Sequence, residues 1–325
     1  MRFRDRPLLV DGLDADLYLD RPELEARIVA PLRDGRNVLV LGDAGSGKST
    51  LLRKAVSVLE QERHPAVLVN AAPADDAASL LELVDEALEE RLVDRPHTPS
   101  PETGSRTARL LRAARRLRRE QSAAILVDGL IDPNLGYDLF GRLRDELWSS
   151  GHSWAVAVRA RDSAVLRTPP ADAFWTTVVE IPTLTPEETE GLLKLGLSPQ
   201  EQNTVDANRP IAGVHPRYLI RWAQDLLDHG EHSELAASPW HLHLEKASDL
   251  GRSEAMAVAE LQGLGRPVSA HDSELLERLG WSRPYAQRIL SGLEERGLLR
   301  SIPERRDKAG RPRKLYELNP TPPGL

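Results

Sequence analysis

The stretch Gly42-Asp43-Ala44-Gly45-Ser46-Gly47-Lys48-Ser49-Thr50 holds the residues best suited to chemistry. Gly42, Gly47, Lys48 and Ser49 fall at the spacing glycine, four residues, glycine-lysine-serine. Glycines let the backbone curl until successive amide N–H groups point inward, and the start of the following helix adds partial positive charge. Such a loop cradles phosphate oxygens. Lys48 is placed to reach the β and γ phosphates of a nucleotide, and the Ser49 hydroxyl to ligate Mg2+. A second stretch, Ala124-Ile-Leu-Val-Asp128-Gly-Leu-Ile-Asp132, runs four apolar residues into an acid. Asp128 is therefore the candidate second magnesium ligand, beside Ser49.

Both stretches need elements to hold them. The apolar run at residues 37–41 predicts a buried strand directly before the loop, and residues 49–63 a helix directly after it. Further strands are predicted at residues 66–70, 123–130, 153–160 and 177–181. Helices are expected between them, including one at 137–150 and an arginine-rich one at 106–120. The latter sets Leu110, Leu111, Ala114 and Leu117 on one side and arginines on the other, either as a solvated face or as a second nucleic-acid surface. Strands alternating with helices predict an α/β fold with a parallel five-stranded sheet covered on both faces. The organisation expected is an N-terminal segment, 1–34, with Leu24, Ile28 and Leu32 on a short helix; a core, 35–182; a helical region, 183–250; and a basic C-terminal domain, 251–325.

The 325 residues carry a net charge of -7, with 40% hydrophobic and 29% charged residues and no cysteine. This is a globular balance, without an apolar run of the roughly 20 residues that a membrane-spanning helix needs. The first residues hold no apolar stretch of signal-peptide length, so a cytoplasmic protein that does not enter membranes is expected. Charge is uneven along the chain. Residues 282–314 hold 10 Lys or Arg against 4 Asp or Glu, a local +6 that leaves -13 elsewhere.

The two motifs together resemble the STAND and AAA+ branch of P-loop ATPases. Asp128, Gly129 and Leu130 match the STAND and NACHT form of the magnesium strand, with Ile131 in place of the first trailing acid and Asp132 at the second. The resemblance spans about residues 15–230 and implies ATP and ADP as ligands and a sheet order of 5-1-4-3-2, with ATP at the carboxyl ends of the strands. It implies Arg161, or else Arg159, as the residue sensing the γ-phosphate. "AGVHPRYLIRWAQDLL" is similar to the family's lid motif, with Pro216 near adenine, Arg217 as second sensor and Val214 in the place of the usual glycine. Arg21 matches an arginine that abuts the base. Asp132 is the candidate for orienting water, and Arg142 or Arg144 for a cation supplied by a neighbouring subunit. Gly129 stands where a motor ATPase has a glutamate, which implies slow turnover.

The C-terminal residues predict three helices, a strand, a basic loop and a strand. Leu275, Leu276 and Leu279 pack the second helix, Gly280 makes a turn, Ser282 caps the third with Pro284 just inside, and Ile289, Leu290 and Leu293 seat it. This resembles a winged helix-turn-helix of bacterial regulators and initiator ATPases. By that resemblance Ser282, Arg283, Tyr285, Gln287 and Arg288 meet base edges of double-stranded DNA, while Arg305, Arg306, Lys308, Arg311, Arg313 and Lys314 meet its phosphates. The reading is an ATP-dependent switch coupled to DNA binding or assembly. The alternative is a signalling or defence scaffold whose winged helix packs against a protein partner.

Overall fold

The computed structural model describes all residues except 1, 4, 5, 11, 13, 93–104, 208–212, 231–239, 305–312 and 320–325. The chain forms two compact units, one of residues 2–196 with 215–217 and one of 197–214 with 218–325.

The first unit is built on five parallel strands, β1 (Val38–Leu41), β2 (Ala66–Asn70), β3 (Ala124–Asp128), β4 (Ser153–Val158) and β5 (Thr177–Glu180), in the order 2-3-4-1-5. This is the expected order, counted from the other edge. Side chains alternate between the two faces of each strand. Val38, Val40, Leu126, Ala155 and Ala157 bury one face against α1 (Pro22–Arg33) and α2 (Lys48–Gln61). Leu39, Leu41, Ile125, Val127 and Trp154 bury the other against α3 (Ala77–Leu92) and α4 (Arg106–Arg116). With both faces covered, the strands have to be apolar throughout, which is why each reads as a continuous run.

The helix expected at 137–150 starts earlier and is broken. Asp132 caps α5 (Pro133–Tyr137), a π turn follows at Asp138–Arg142, and α6 (Arg144–Trp148) completes the segment. The cap signal is local: Asp132 Oδ1 accepts from Asn134 N at 2.9 Å, and Pro133, which has no N–H to satisfy, stands at the first helical position. Two short helices complete this unit, α7 (Ser163–Leu166) and α8 (Pro186–Gly196). Thr185 and Glu188 cap α8 reciprocally, Thr185 N donating to Glu188 Oε2 at 2.9 Å and Glu188 N to Thr185 Oγ1 at 3.1 Å.

The arginine-rich α4 and the residues after it are held by acids. Arg109 pairs with Asp76, and Arg119, 3% exposed, pairs with Asp85 at 2.6 Å and Glu89 at 3.6 Å. Beside this cluster His152 is buried. Its Nδ1 accepts from Ala123 N at 3.0 Å and its Nε2 lies 2.6 Å from Leu117 O, so the neutral ring with a proton on Nε2 satisfies both partners. Burial, and after it the nearby Arg119 charge, pushes this imidazole below its ordinary 6.5. The unfolded chain takes up this proton at higher pH than the folded chain does. Stability from His152 is therefore complete above the ordinary value and is lost as pH falls through the folded one. Between about pH 7.5 and about pH 5.5, urea denaturation is expected to show a larger loss of stability in the parent chain than in His152→Gln. Equal losses would clear His152 of this role.

The second unit contains α9 (Pro199–Ala207), α10 from Tyr218 onward (Pro216–His229 in full), α11 (Trp240–Leu250), α12 (Arg252–Leu264), α13 (Ser273–Leu279), α14 (Arg283–Glu295) and an antiparallel pair, β6 (Leu299–Glu304) and β7 (Arg313–Leu318). Val268 bridges to Tyr316 beside this pair. Leu261, Val268, Leu275, Leu290, Leu293 and Tyr316 form its core, while Leu276 is only half-buried. Asp272 caps α13, its carboxylate accepting from Glu274 N and Leu275 N at 3.1 Å each. Among the described residues no helix is long and apolar enough to cross a membrane.

Candidate functional site

The loop from Gly42 to Thr50 connects β1 to α2 as the spacing predicts. A β-carbon on Gly42 would stand 2.5 Å from Ser46 Oγ and 3.3 Å from Ser46 Cβ, so Ser46 would have to turn or shift to admit one. Ser46 is 2% exposed, and its hydroxyl has no hydrogen-bond partner among the described residues. Lys48 Nζ donates to Gly42 O at 2.7 Å and Asp43 O at 2.8 Å, which sets the ammonium over the inside of the loop. Ser49 and Thr50 lie in the first turn of α2, and Thr50 Oγ1 accepts from Leu8 N at 3.4 Å. A glycine loop, a lysine ammonium and a helix N-terminus all fit a chain of phosphates.

Three residues of the expected lid motif lie against this loop. Arg217 N donates to Gly45 O at 3.3 Å, and His215 Nε2 lies 3.5 Å from Asp43 Oδ2. Pro216 between them starts α10. Nothing in the sequence singles out His215 except its position one residue before Pro216. Arg21 is anchored by Glu188, with Nε at 2.7 Å from Oε1 and Nη2 at 3.1 Å from Oε2. This bidentate pair ties the segment before α1 to the first turn of α8.

Asp128 is half-buried at the end of β3, and Asn70 is its register partner on β2. A carboxylate and a hydroxyl, as on Asp128 and Ser49, are oxygen donors of the kind that a magnesium ion takes. Gly129 has φ +71°, and a β-carbon on it would stand 2.5 Å from Asn70 Oδ1. A glutamate at 129 is thus opposed both by the backbone and by a neighbour. Leu130 is buried, Ile131 is 72% exposed, and Asp132 spends Oδ1 on its helix cap. Arg159, half-buried, follows β4 directly. Arg161 lies two residues further on, with its Nε 3.4 Å from Asp162. Arg142 is paired with Asp138 at 2.9 Å, and Arg144 donates to Pro170 O at 3.0 Å.

In the second unit, Ser282, Arg283 and Arg288 are exposed at the start of α14, and Ser282 occupies the cap position without a side-chain cap bond. Tyr285 is half-buried, its OH 2.7 Å from Ser253 Oγ and its ring beneath the Arg288 guanidinium at 4.8 Å. Gln287 Nε2 donates to Tyr316 OH at 2.8 Å and Ser291 Oγ at 2.9 Å. Lys314 reaches Glu294 at 3.1 Å, which raises the lysine. The hydrogen bond from Ser301, and to a lesser degree that from Lys314, lowers the Glu294 carboxyl despite its burial. Arg305, Arg306, Lys308 and Arg311 lie outside the described residues, as does the side chain of Arg313. Among the described residues no group of three or more His, Cys, Asp or Glu could hold a metal ion.

Residues 32–131 match the family model described as AAA domain. No curated protein matches the chain. Among solved structures it is similar to the Aeropyrum pernix ORC1 protein in complex with DNA, at 19% identity over 94% of this chain and 90% of that one, with a TM-score of 0.53. It is also similar to Cdc6p from Pyrobaculum aerophilum, at 16% identity over 96% and 95% with a TM-score of 0.47. For a single-residue mutant of Thermotoga maritima RuvB the values are 12%, 88%, 90% and 0.39. Residues 32–131 thus match an AAA domain, and the five-stranded parallel sheet to which they contribute has the fold of the Aeropyrum pernix ORC1 protein.

Proposed function

We propose that the chain is a magnesium-dependent, slowly hydrolysing ATP switch whose nucleotide state governs binding of duplex DNA. The cradle around Lys48 carries the reading, since it brings together a lysine ammonium, a glycine loop and a helix start, each suited to phosphate oxygens. The loop amides and Lys48 bind the β and γ phosphates. Ser49 and Asp128 hold Mg2+, which neutralises charge on those phosphates. Arg161, or Arg159 at the end of β4, senses the γ-phosphate, while Pro216, Arg217 and Arg21 serve the base side. The contacts of His215 and Arg217 with Asp43 and Gly45 give ATP and ADP a way to be distinguished, because any shift of the loop is felt there. Without an acid at 129 the switch turns over slowly, in the manner of the STAND class.

Residues 251–325 act as a winged helix-turn-helix, with α14 as recognition helix and β6 and β7 flanking the basic loop. The fold shared with the Aeropyrum pernix ORC1 protein, solved with DNA, supports this. Arg311→Glu with Arg313→Glu, on the basic loop assigned to phosphates, is expected to weaken duplex binding and to lower the slope of log affinity against log salt by about 2. Fluorescence anisotropy across a salt series checks this, and a parent chain that ignores duplex at low salt would refute it. A second reading, that the winged helix packs against a protein or another copy, is favoured by Gln287 and Lys314, whose polar groups are engaged within the unit.

A further inference from the structure

We infer that Asn70 holds the attacking water in this site, a role that rests on the nucleotide reading above. Asn70 and Asp128 end adjacent strands in register, and the ladder continues one step further as Ala71 N donates to Asp128 O at 2.7 Å. Asn70 then turns the chain, its Oδ1 accepting from Ala72 N at 3.1 Å. That bond assigns the carboxamide, since only the oxygen can accept, and leaves the Nδ2 group without a hydrogen bond to any described residue. Asn70 is exposed. The same Oδ1 fills the place where a side chain at residue 129 would begin, 2.5 Å from an ideal β-carbon.

The polar side chain next to the magnesium acid therefore comes from β2, not from the residue after Asp128. Its amide matches what the step needs short of a base. The second lone pair of Oδ1 accepts a water O–H, and Nδ2 donates to a phosphoryl oxygen. The water oxygen bonds to the γ-phosphorus, the bond from that phosphorus to the β–γ bridging oxygen breaks, and its electron pair leaves with ADP. The proton passes to an oxygen of the transferred phosphoryl group, released as inorganic phosphate. Asn70 never takes that proton, so the step runs without a titrating side chain. Asp132 lies four residues past Asp128, where it caps α5, and is not in register with the end of β3 as Asn70 is.

The test is single-turnover hydrolysis of magnesium-ATP by the full chain, with affinity measured separately by calorimetry. Asn70→Ala is expected to lower the rate about 100-fold with affinity held within about twofold. Asp132→Asn, which preserves the cap, should lower the rate far less than Asn70→Ala does. Asn70→Asp preserves the acceptor for Ala72 N and adds a titrating carboxylate, so its pH–rate profile gains an acid limb that the parent lacks. A parent rate in Asn70→Ala, a large loss in Asp132→Asn, or an unchanged profile in Asn70→Asp each overturns the role. Binding without any turnover in the parent chain overturns Asn70 alone. Failure of the parent chain to bind magnesium-ATP removes the nucleotide reading, and the role of Asn70 with it.

Discussion

Magnesium-ATP is expected to bind a Lys48→Ala chain roughly 100-fold more weakly than the parent, a loss of about 3 kcal/mol. Lys48 is the cation that the structure sets inside the loop, held by the carbonyls of Gly42 and Asp43. A phosphate chain presents several negative oxygens to the same place, and without the ammonium the loop itself meets them with neutral amides alone. The loop itself has other supports. Gly42 and Ser46 remain in contact, Ser46 N still donates to Asp43 O, and α2 still begins at residue 48. Thermal unfolding without nucleotide should therefore change little while calorimetry shows the loss. Equal affinity in the two chains would end the assignment of the phosphate site.

Arg119→Ala is expected to damage the fold more than any substitution named above. Arg119 and Asp85 are 3% and 5% exposed, and Glu89 at 13% stands close by. Truncating the arginine takes the guanidinium away from a charged, buried Asp85, at a cost of about 3–5 kcal/mol. Desolvation decides the size of the effect, because the pair itself gains far less than a buried carboxylate stripped of Arg119 loses. A double variant, Arg119→Met with Asp85→Leu, removes both charges and fills the volume, so it should recover most of the loss. Urea unfolding reads both results. A loss under about 1 kcal/mol in the single variant would mean that water reaches Asp85, as it does around surface pairs.

The five strands were legible because each is a short apolar run bounded by turns, while their order followed only from the resemblance to P-loop ATPases. The phosphate loop and Asp128 were legible for the same reason, as polar residues at the ends of apolar runs. The broken helix at 133–148 was not, although Asp132 followed by Pro133 is a start signal that outweighed the later apolar spacing. Asn70 was read only as the last residue of a strand. Its chemistry depends on Gly129, 59 positions further on, and pairings of that kind come from the sheet register. The ends of α14 show the same limit. Gln287 faces Tyr316 and Lys314 faces Glu294 because β7 returns beside the helix, and a helical pattern alone carries no record of that return.

Positions 70 and 129 constrain each other. An acid introduced at 129 on the present background meets left-handed backbone and the carboxamide of residue 70 together. Shortening residue 70 removes the Asn70 carboxamide that anchors the turn to Ala72 N. Either change alone disturbs this edge of the sheet, so the two residues act as one unit and not as separate positions.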